Sequence, residues 1–74
     1  MYIYPRIRDL REDNDWTQEF VADKLGEYLT TYRRWESGER EMPAHIIKEL
    51  CMIYNVSADY IFGFTDEPAG LRRN

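Results

Sequence analysis

Two adjacent arginines, Arg33 and Arg34, stand in a stretch from Tyr28 to Trp35 that holds two threonines, Thr30 and Thr31, and no acid. Guanidinium groups present rigid forks of N–H donors that match guanine edges and phosphates. The chemistry open to such a stretch is recognition of an anionic polymer. Leu29, Tyr32 and Trp35 recur every three residues, and Tyr32 and Glu36 lie four apart. That spacing predicts a helix from about Tyr28 to Ser37, with Tyr32 and Trp35 facing inward and Thr30, Arg33 and Arg34 on the opposite side. On these residues alone, an ordinary solvated helix face accounts for the pattern as well as a groove-reading face does.

Other chemistries find little material. The chain has one cysteine, Cys51, and one histidine, His45, so neither an internal disulfide nor a multi-ligand metal site can be assembled from them. No nucleophile with a base, no carboxylate pair in a cleft and no phosphate-cradling glycine loop is evident, which argues against an enzyme, a cofactor or a small-molecule ligand. No apolar run approaches the roughly 20 residues of a membrane helix, and Met1-Tyr-Ile-Tyr-Pro5 lacks the apolar stretch of a signal peptide. The expectation is a cytoplasmic protein that does not enter a membrane.

Charge is segregated. The chain carries 10 basic and 14 acidic residues, a formal net charge of −4. Residues 28 to 35 hold two arginines and no acid, so the rest of the chain is more acidic than the total suggests. Local potential matters more than the sum for docking. An acidic remainder weakens non-specific DNA affinity, which is driven by phosphate neutralisation, and makes binding depend on specific contacts and on salt.

The elements that must position these residues follow in order. At 74 residues the chain is one domain with a small core. A first helix is expected from Tyr4 to Asp13, with Pro5 in its opening turn, Ile3, Ile7 and Leu10 on the buried stripe, and Asn14 as the left-handed stop. Arg6, Arg8 and Arg11 alternate with acids there, a pattern typical of solvated surface. Thr17 can cap a second helix whose Val21, Ala22 and Leu25 share a face, with Trp16 stapled onto Val21, Phe20 half exposed and Gly26 ending it. After Ser37-Gly38 comes a charged loop, Glu39 to Pro43. A fourth helix runs from Ala44 to Tyr54, with Ile46, Ile47, Leu50, Cys51 and Tyr54 on one core face and His45 at the surface. In the fifth, Ser57 caps, Val56 staples to Ile61, Asp59 complements the positive helix end and Gly63 stops it. Residues 64–74 show turn residues without periodicity and read as a C-terminal tail that either frays or docks on a neighbour.

Four pieces in this order, Ile7-Arg-Asp-Leu-Arg11, Thr17-Gln18-x-x-Val-Ala22-x-x-Leu-Gly26, Thr31-Tyr32-x-x-Trp35-Glu36-x-Gly38 and Val56-Ser57-x-Asp59-Tyr-Ile-Phe-Gly63, make the chain similar to DNA-binding domains of the Cro and phage-repressor type. This is the xenobiotic-response-element class of helix-turn-helix regulators. The resemblance spans about residues 6 to 63. It implies that Gln18 donates to phosphate, with Thr17 beside it, and that Tyr28, Leu29, Thr30 and Arg34 meet base edges, with Arg33 nearby for base or phosphate. It makes Arg34 the candidate for a bidentate guanine contact, and it ties Arg11 to Glu36 as a structural pair. The chain departs from the family's habit at Glu27, Tyr28 and Phe20. It also departs after Gly38, where Glu39 and Glu41 flank Arg40 in place of a basic cluster; Arg40 is still a candidate for backbone contact.

The reading is an all-α domain of five short helices over residues 1–63, followed by the tail. It binds duplex DNA as a transcriptional regulator, a repressor of bacterial or phage origin. The expected oligomer is a homodimer through Tyr60, Phe62 and Phe64. The rival is a protein-interaction module of the same fold, an antitoxin or phage accessory factor, favoured by the acidic balance and by Leu29.

Overall fold

The computed structural model describes residues 1–68. Among them it contains five helices: α1 (Ile7–Asp13), α2 (Gln18–Leu25), α3 (Leu29–Ser37), α4 (Ala44–Tyr54) and α5 (Ala58–Phe62). Helix α2 packs on α3 and α4 on α5. Ile7, Val21, Tyr32, Ile46, Leu50 and Ile61 are its largest fully enclosed side chains, joined by Trp35, Val56 and Cys51. Burial pushes the Cys51 thiol above its ordinary range, the state of a small core side chain rather than a nucleophile.

The expected punctuation forms where local chemistry dictates it. The Thr17 hydroxyl accepts from the Phe20 N–H at 3.0 Å and the Ser57 hydroxyl from the Tyr60 N–H at 3.1 Å, each satisfying an orphan donor of a first turn. Gly26, between α2 and α3, takes the left-handed conformation with φ +69°. Helix α3 starts at Leu29 behind an extended Tyr28 that makes no side-chain cap.

Helix α1 ends at Asp13 as expected but differs in its start and in its left-handed stop. It begins at Ile7 rather than Tyr4, because the residue before a proline is disfavoured in the helical region and Tyr4 precedes Pro5. Residues 1–4 instead form an extended arm in which the Tyr2 N–H donates to the Gly38 carbonyl at 2.9 Å. Ile3, expected on the buried stripe, is 69% exposed. Tyr4 takes an inward place, its hydroxyl accepting from the Met42 N–H at 2.7 Å. At the other end the left-handed residue is Asp15, not Asn14. The Asn14 amide donates back to the Leu10 carbonyl at 2.8 Å and stays outside that region.

The loop after α3 also departs from a purely charged surface, since Met42 is buried. The first part of the expected tail is fastened to its own domain. The Phe64 N–H donates to the Asp59 carbonyl, the Ser57 N–H to the Pro68 carbonyl, and Arg6 pairs with Asp66 at 2.8 Å. The remainder, 69–74, lies outside the described residues.

Gly26 and Gly38 predict a graded pair of substitutions. At Gly26 an added Cβ meets open space, so Gly26→Ala carries only the left-handed backbone cost, about 1–2 kcal/mol. At Gly38 (φ +83°) the same Cβ would overlap the Tyr2 carbonyl oxygen, so Gly38→Ala must also displace the arm. Urea denaturation is expected to show Gly38→Ala as the more destabilised of the two; equal losses would mean the arm does not pack on Gly38 in solution.

Candidate nucleic-acid interface

Helix α3 is oriented by what it buries. Tyr32 is fully buried and Trp35 is 5% exposed, which rolls Thr30, Arg33 and Arg34 into solvent and leaves Leu29 and Thr31 half-buried at the flank. Tyr28, at the entry to the helix, is 83% exposed. Thr17, Gln18, Arg33 and Arg34 thus lie on two successive helices joined by the sharp turn at Gly26.

Beneath that face lies a polar centre built on one carboxylate. The Glu36 oxygens accept from Arg11 Nε at 3.0 Å and Nη2 at 2.9 Å, from the Tyr32 hydroxyl at 2.7 Å and from Gln18 Nε2 at 3.1 Å. The third corner of the Arg11 guanidinium, Nη1, donates to the Trp16 carbonyl at 2.9 Å. The two charged side chains are only 12% and 5% exposed. Burial pulls the Glu36 carboxyl upward, but the hydrogen bonds from Arg11 and Tyr32 outweigh it and hold the group below the ordinary carboxylate range. Burial and the bond to Glu36 push the Tyr32 hydroxyl far up, so it stays a donor.

Gln18 connects this centre to the surface. Its amide donates to Glu36, and its carbonyl oxygen accepts from Arg33 Nε at 3.2 Å. The amide orientation is fixed by chemistry, because a carboxylate only accepts and a guanidinium only donates. One amide N–H of Gln18 takes no part in these two bonds. Arg33 is left without a carboxylate partner among the described residues, while Arg34 meets Glu39 at 3.1 Å. Arg40 is exposed on the loop beyond.

An open cleft of about 340 Å³ is lined by Arg8, Arg11, Gln18, Arg33, Glu36 and Ser37. Arg8, grouped with the solvated charges of α1 by its alternation with acids, therefore joins the edge of the same face, although its Nε also reaches Glu12 at 3.2 Å. The available signal was its spacing: Arg8 and Arg11 lie three apart on a helix and share a side, so anchoring Arg11 at Glu36 brings Arg8 to α3.

The dimer candidates lie elsewhere. The Tyr60 ring is half-buried with the Arg6 guanidinium 4.2 Å from its centroid. Phe64 is 80% exposed and stacks on Phe62 at 5.9 Å, which in turn touches Tyr4 at 6.1 Å. No helix among the described residues is long and apolar enough to cross a membrane.

Residues 7–61 match the helix-turn-helix family model. Among curated proteins, the chain is 36% identical over 63 residues to YobD of Bacillus subtilis (strain 168), named an uncharacterised HTH-type transcriptional regulator; the match covers 85% of this chain and 56% of that protein. It is 29% identical over 58 residues to the HTH-type transcriptional regulator AnsR of the same organism, covering 78% of this chain and 50% of AnsR. The chain thus spans about half the length of the curated relatives it matches. No solved structure gives a significant match.

The Glu36 centre generates a stability prediction with a sign. Arg11→Ala strands a buried carboxylate and is expected to cost about 3 kcal/mol, lowering the melting temperature by more than about 10 °C. Because the folded Glu36 carboxyl is held low, its stabilisation is fully present above an unfolded glutamate pKa of about 4.3 and is lost as pH falls through the folded value. Urea titrations should therefore show a gap between wild type and Glu36→Gln that is widest at neutral pH and narrows below about pH 4. A gap that ignores pH would contradict the assignment.

Proposed function

The chain belongs to the helix-turn-helix family, and on that premise we propose that it binds a specific duplex DNA site as a cytoplasmic transcriptional regulator. The mode proposed is repression by occupying the site. The observation that carries this reading is the outward polar face of α3, free of acid from Tyr28 to Arg34 and held in place by the buried Glu36 centre. A helix of 9 residues is about 13 Å long and 10–12 Å across, dimensions that suit a major groove about 12 Å wide.

The roles follow from position and donor type. Arg34 is assigned to a guanine edge through paired N–H donors, with Tyr28, Leu29 and Thr30 against neighbouring base edges; Leu29 has only an apolar surface to offer a thymine methyl. Arg33, the remaining amide N–H of Gln18, the Thr17 hydroxyl and Arg40 are assigned to the backbone, where contacts set register without reading sequence. Arg8 joins them from α1 across the shared cleft. With a net charge of −4, few phosphate contacts support non-specific binding, so discrimination rests on the base contacts.

Two copies paired through the stacked Phe62 and Phe64 would place two α3 helices on inverted half-sites about one helical turn, roughly 34 Å, apart. The exposed aromatic area supports this homodimer. Tyr60, covered by Arg6, contributes at its rim.

Selection of bound sequences from random duplex DNA is expected to return an enriched, two-fold-symmetric motif. Arg34→Ala should flatten one position of that motif by roughly 1–3 kcal/mol, whereas Arg8→Ala should weaken all duplexes alike and reduce the salt slope by about 1. A selection without enrichment, or affinity flat between low and moderate salt, would overturn DNA recognition. Sedimentation should separately show concentration-dependent dimers; monomers alone, free and on DNA, would remove the dimer.

A further inference from the structure

Arg34, assigned above to a guanine edge, is not free in solution. The end of α3 folds back on it: the Glu39 and Arg40 N–H groups both donate to the Arg34 carbonyl, at 2.9 and 3.1 Å, and Gly38 makes the left-handed turn between them. This places the Glu39 carboxylate 3.1 Å from Arg34 Nε, with the two side chains 61% and 48% exposed. An ion pair this open contributes little to folding. Its consequence lies in the geometry of the guanidinium.

A guanidinium carries five N–H donors in a fixed plane. Glu39 lies nearest the Nε end of that group, 3.1 Å away, rather than at the terminal Nη1 and Nη2 donors, so a forward approach through the terminal pair stays open. A forward pair suits the two acceptors, N7 and O6, that guanine presents in the major groove. The same carboxylate disfavours an approach to phosphate, which would bring like charges together. We infer that Glu39 is a specificity-determining positioning residue: it holds Arg34 end-on for a guanine and keeps it off the DNA backbone. The inference rests on Arg34 reading a base, and it gives a use to an acid in a loop where a DNA binder would gain affinity from a base.

The distinction from simple charge repulsion is local. Glu41, two residues on, is also an exposed acid in the same loop, yet it makes no ion pair among the described residues. Removing Glu41 changes the general field; removing Glu39 changes the field and also frees Arg34.

The test uses the full chain and three probes: the duplex enriched by the wild-type protein from a random library, its single-base variants, and a scrambled duplex of equal composition. Glu39→Ala is expected to bind the scrambled duplex several-fold tighter, with a salt slope steeper by about 1 as Arg34 turns to phosphate. Its preference at the position that Arg34→Ala flattens should fall by roughly five-fold or more, within the range one bidentate contact supplies. Glu39→Gln, which keeps an acceptor without the charge, should fall between, and Glu41→Ala should shift all duplexes alike without changing the preference. Unchanged thermal melting of the Glu39 variants keeps the comparison free of folding effects. A Glu39→Ala protein with wild-type preference, or a Glu41→Ala protein that loses it equally, would overturn the inference. If Arg34→Ala flattens no position, the base-reading role of Arg34 itself fails and the inference falls with it.

Discussion

A single buried carboxylate fixes the relation between the helices that matter. Glu36 comes from α3, Arg11 from α1, Gln18 from α2, and their hydrogen bonds converge within a few ångströms. A charge removed from water is tolerated only when its lone pairs are filled and a counter-charge lies against it, and here both oxygens are bonded. The directional demands of that carboxylate do what a small apolar core cannot do alone. Leu, Val and Ile contacts hold elements together, but they tolerate small rotations; bidentate guanidinium bonds do not. The roll that burial of Tyr32 and Trp35 gives α3, and with it the direction of Thr30, Arg33 and Arg34, is locked there.

The same arrangement bears on the conflict between an acidic chain and the anionic partner proposed for it. Of the side chains on α3, the one acid is hidden beneath the helix and neutralised by Arg11. The surface of α3 is thus cationic because a carboxylate has been withdrawn, rather than because bases have been crowded onto it. Gln18 extends the effect, spending one amide hydrogen on Glu36 and its oxygen on Arg33. The Arg33 guanidinium is steadied by a neutral group and keeps its charge for an external anion. Arg34 is steadied by an acid instead. Two neighbouring arginines are therefore held differently, one by a neutral amide and one by a carboxylate.

Much of this was legible locally. Caps at Thr17 and Ser57, left-handed stops at Gly26 and Gly63, and the inward spacing of Tyr32 and Trp35 depend on residues within one or two turns of each other, so a linear reading recovers them. What escaped depends on segments far apart in the chain. Tyr4 goes inside because Met42, 38 positions away, offers an N–H to its hydroxyl. Ile3 goes outside because Pro5 forbids the helical turn that would have carried it inward. The inward bond of Gln18 and the cleft shared by Arg8 and Arg33 appear only when three helices meet. The turn at Gly38 that brings Glu39 back onto Arg34 was visible as a glycine, but its electrostatic result was not.

The central claim is that α3 meets DNA with its outward face while the Glu36 centre stays closed beneath it. Amide chemical-shift mapping of the isotope-labelled chain during titration with duplex DNA tests this most directly. The expected result is the largest changes at Thr17, Gln18 and the residues from Tyr28 to Arg34, with the Trp35 indole and the Arg11 Nε signals nearly unmoved. Changes confined to the exposed aromatic residues Phe62 and Phe64, with the α3 amides silent, would contradict it and leave the fold as a module for binding proteins.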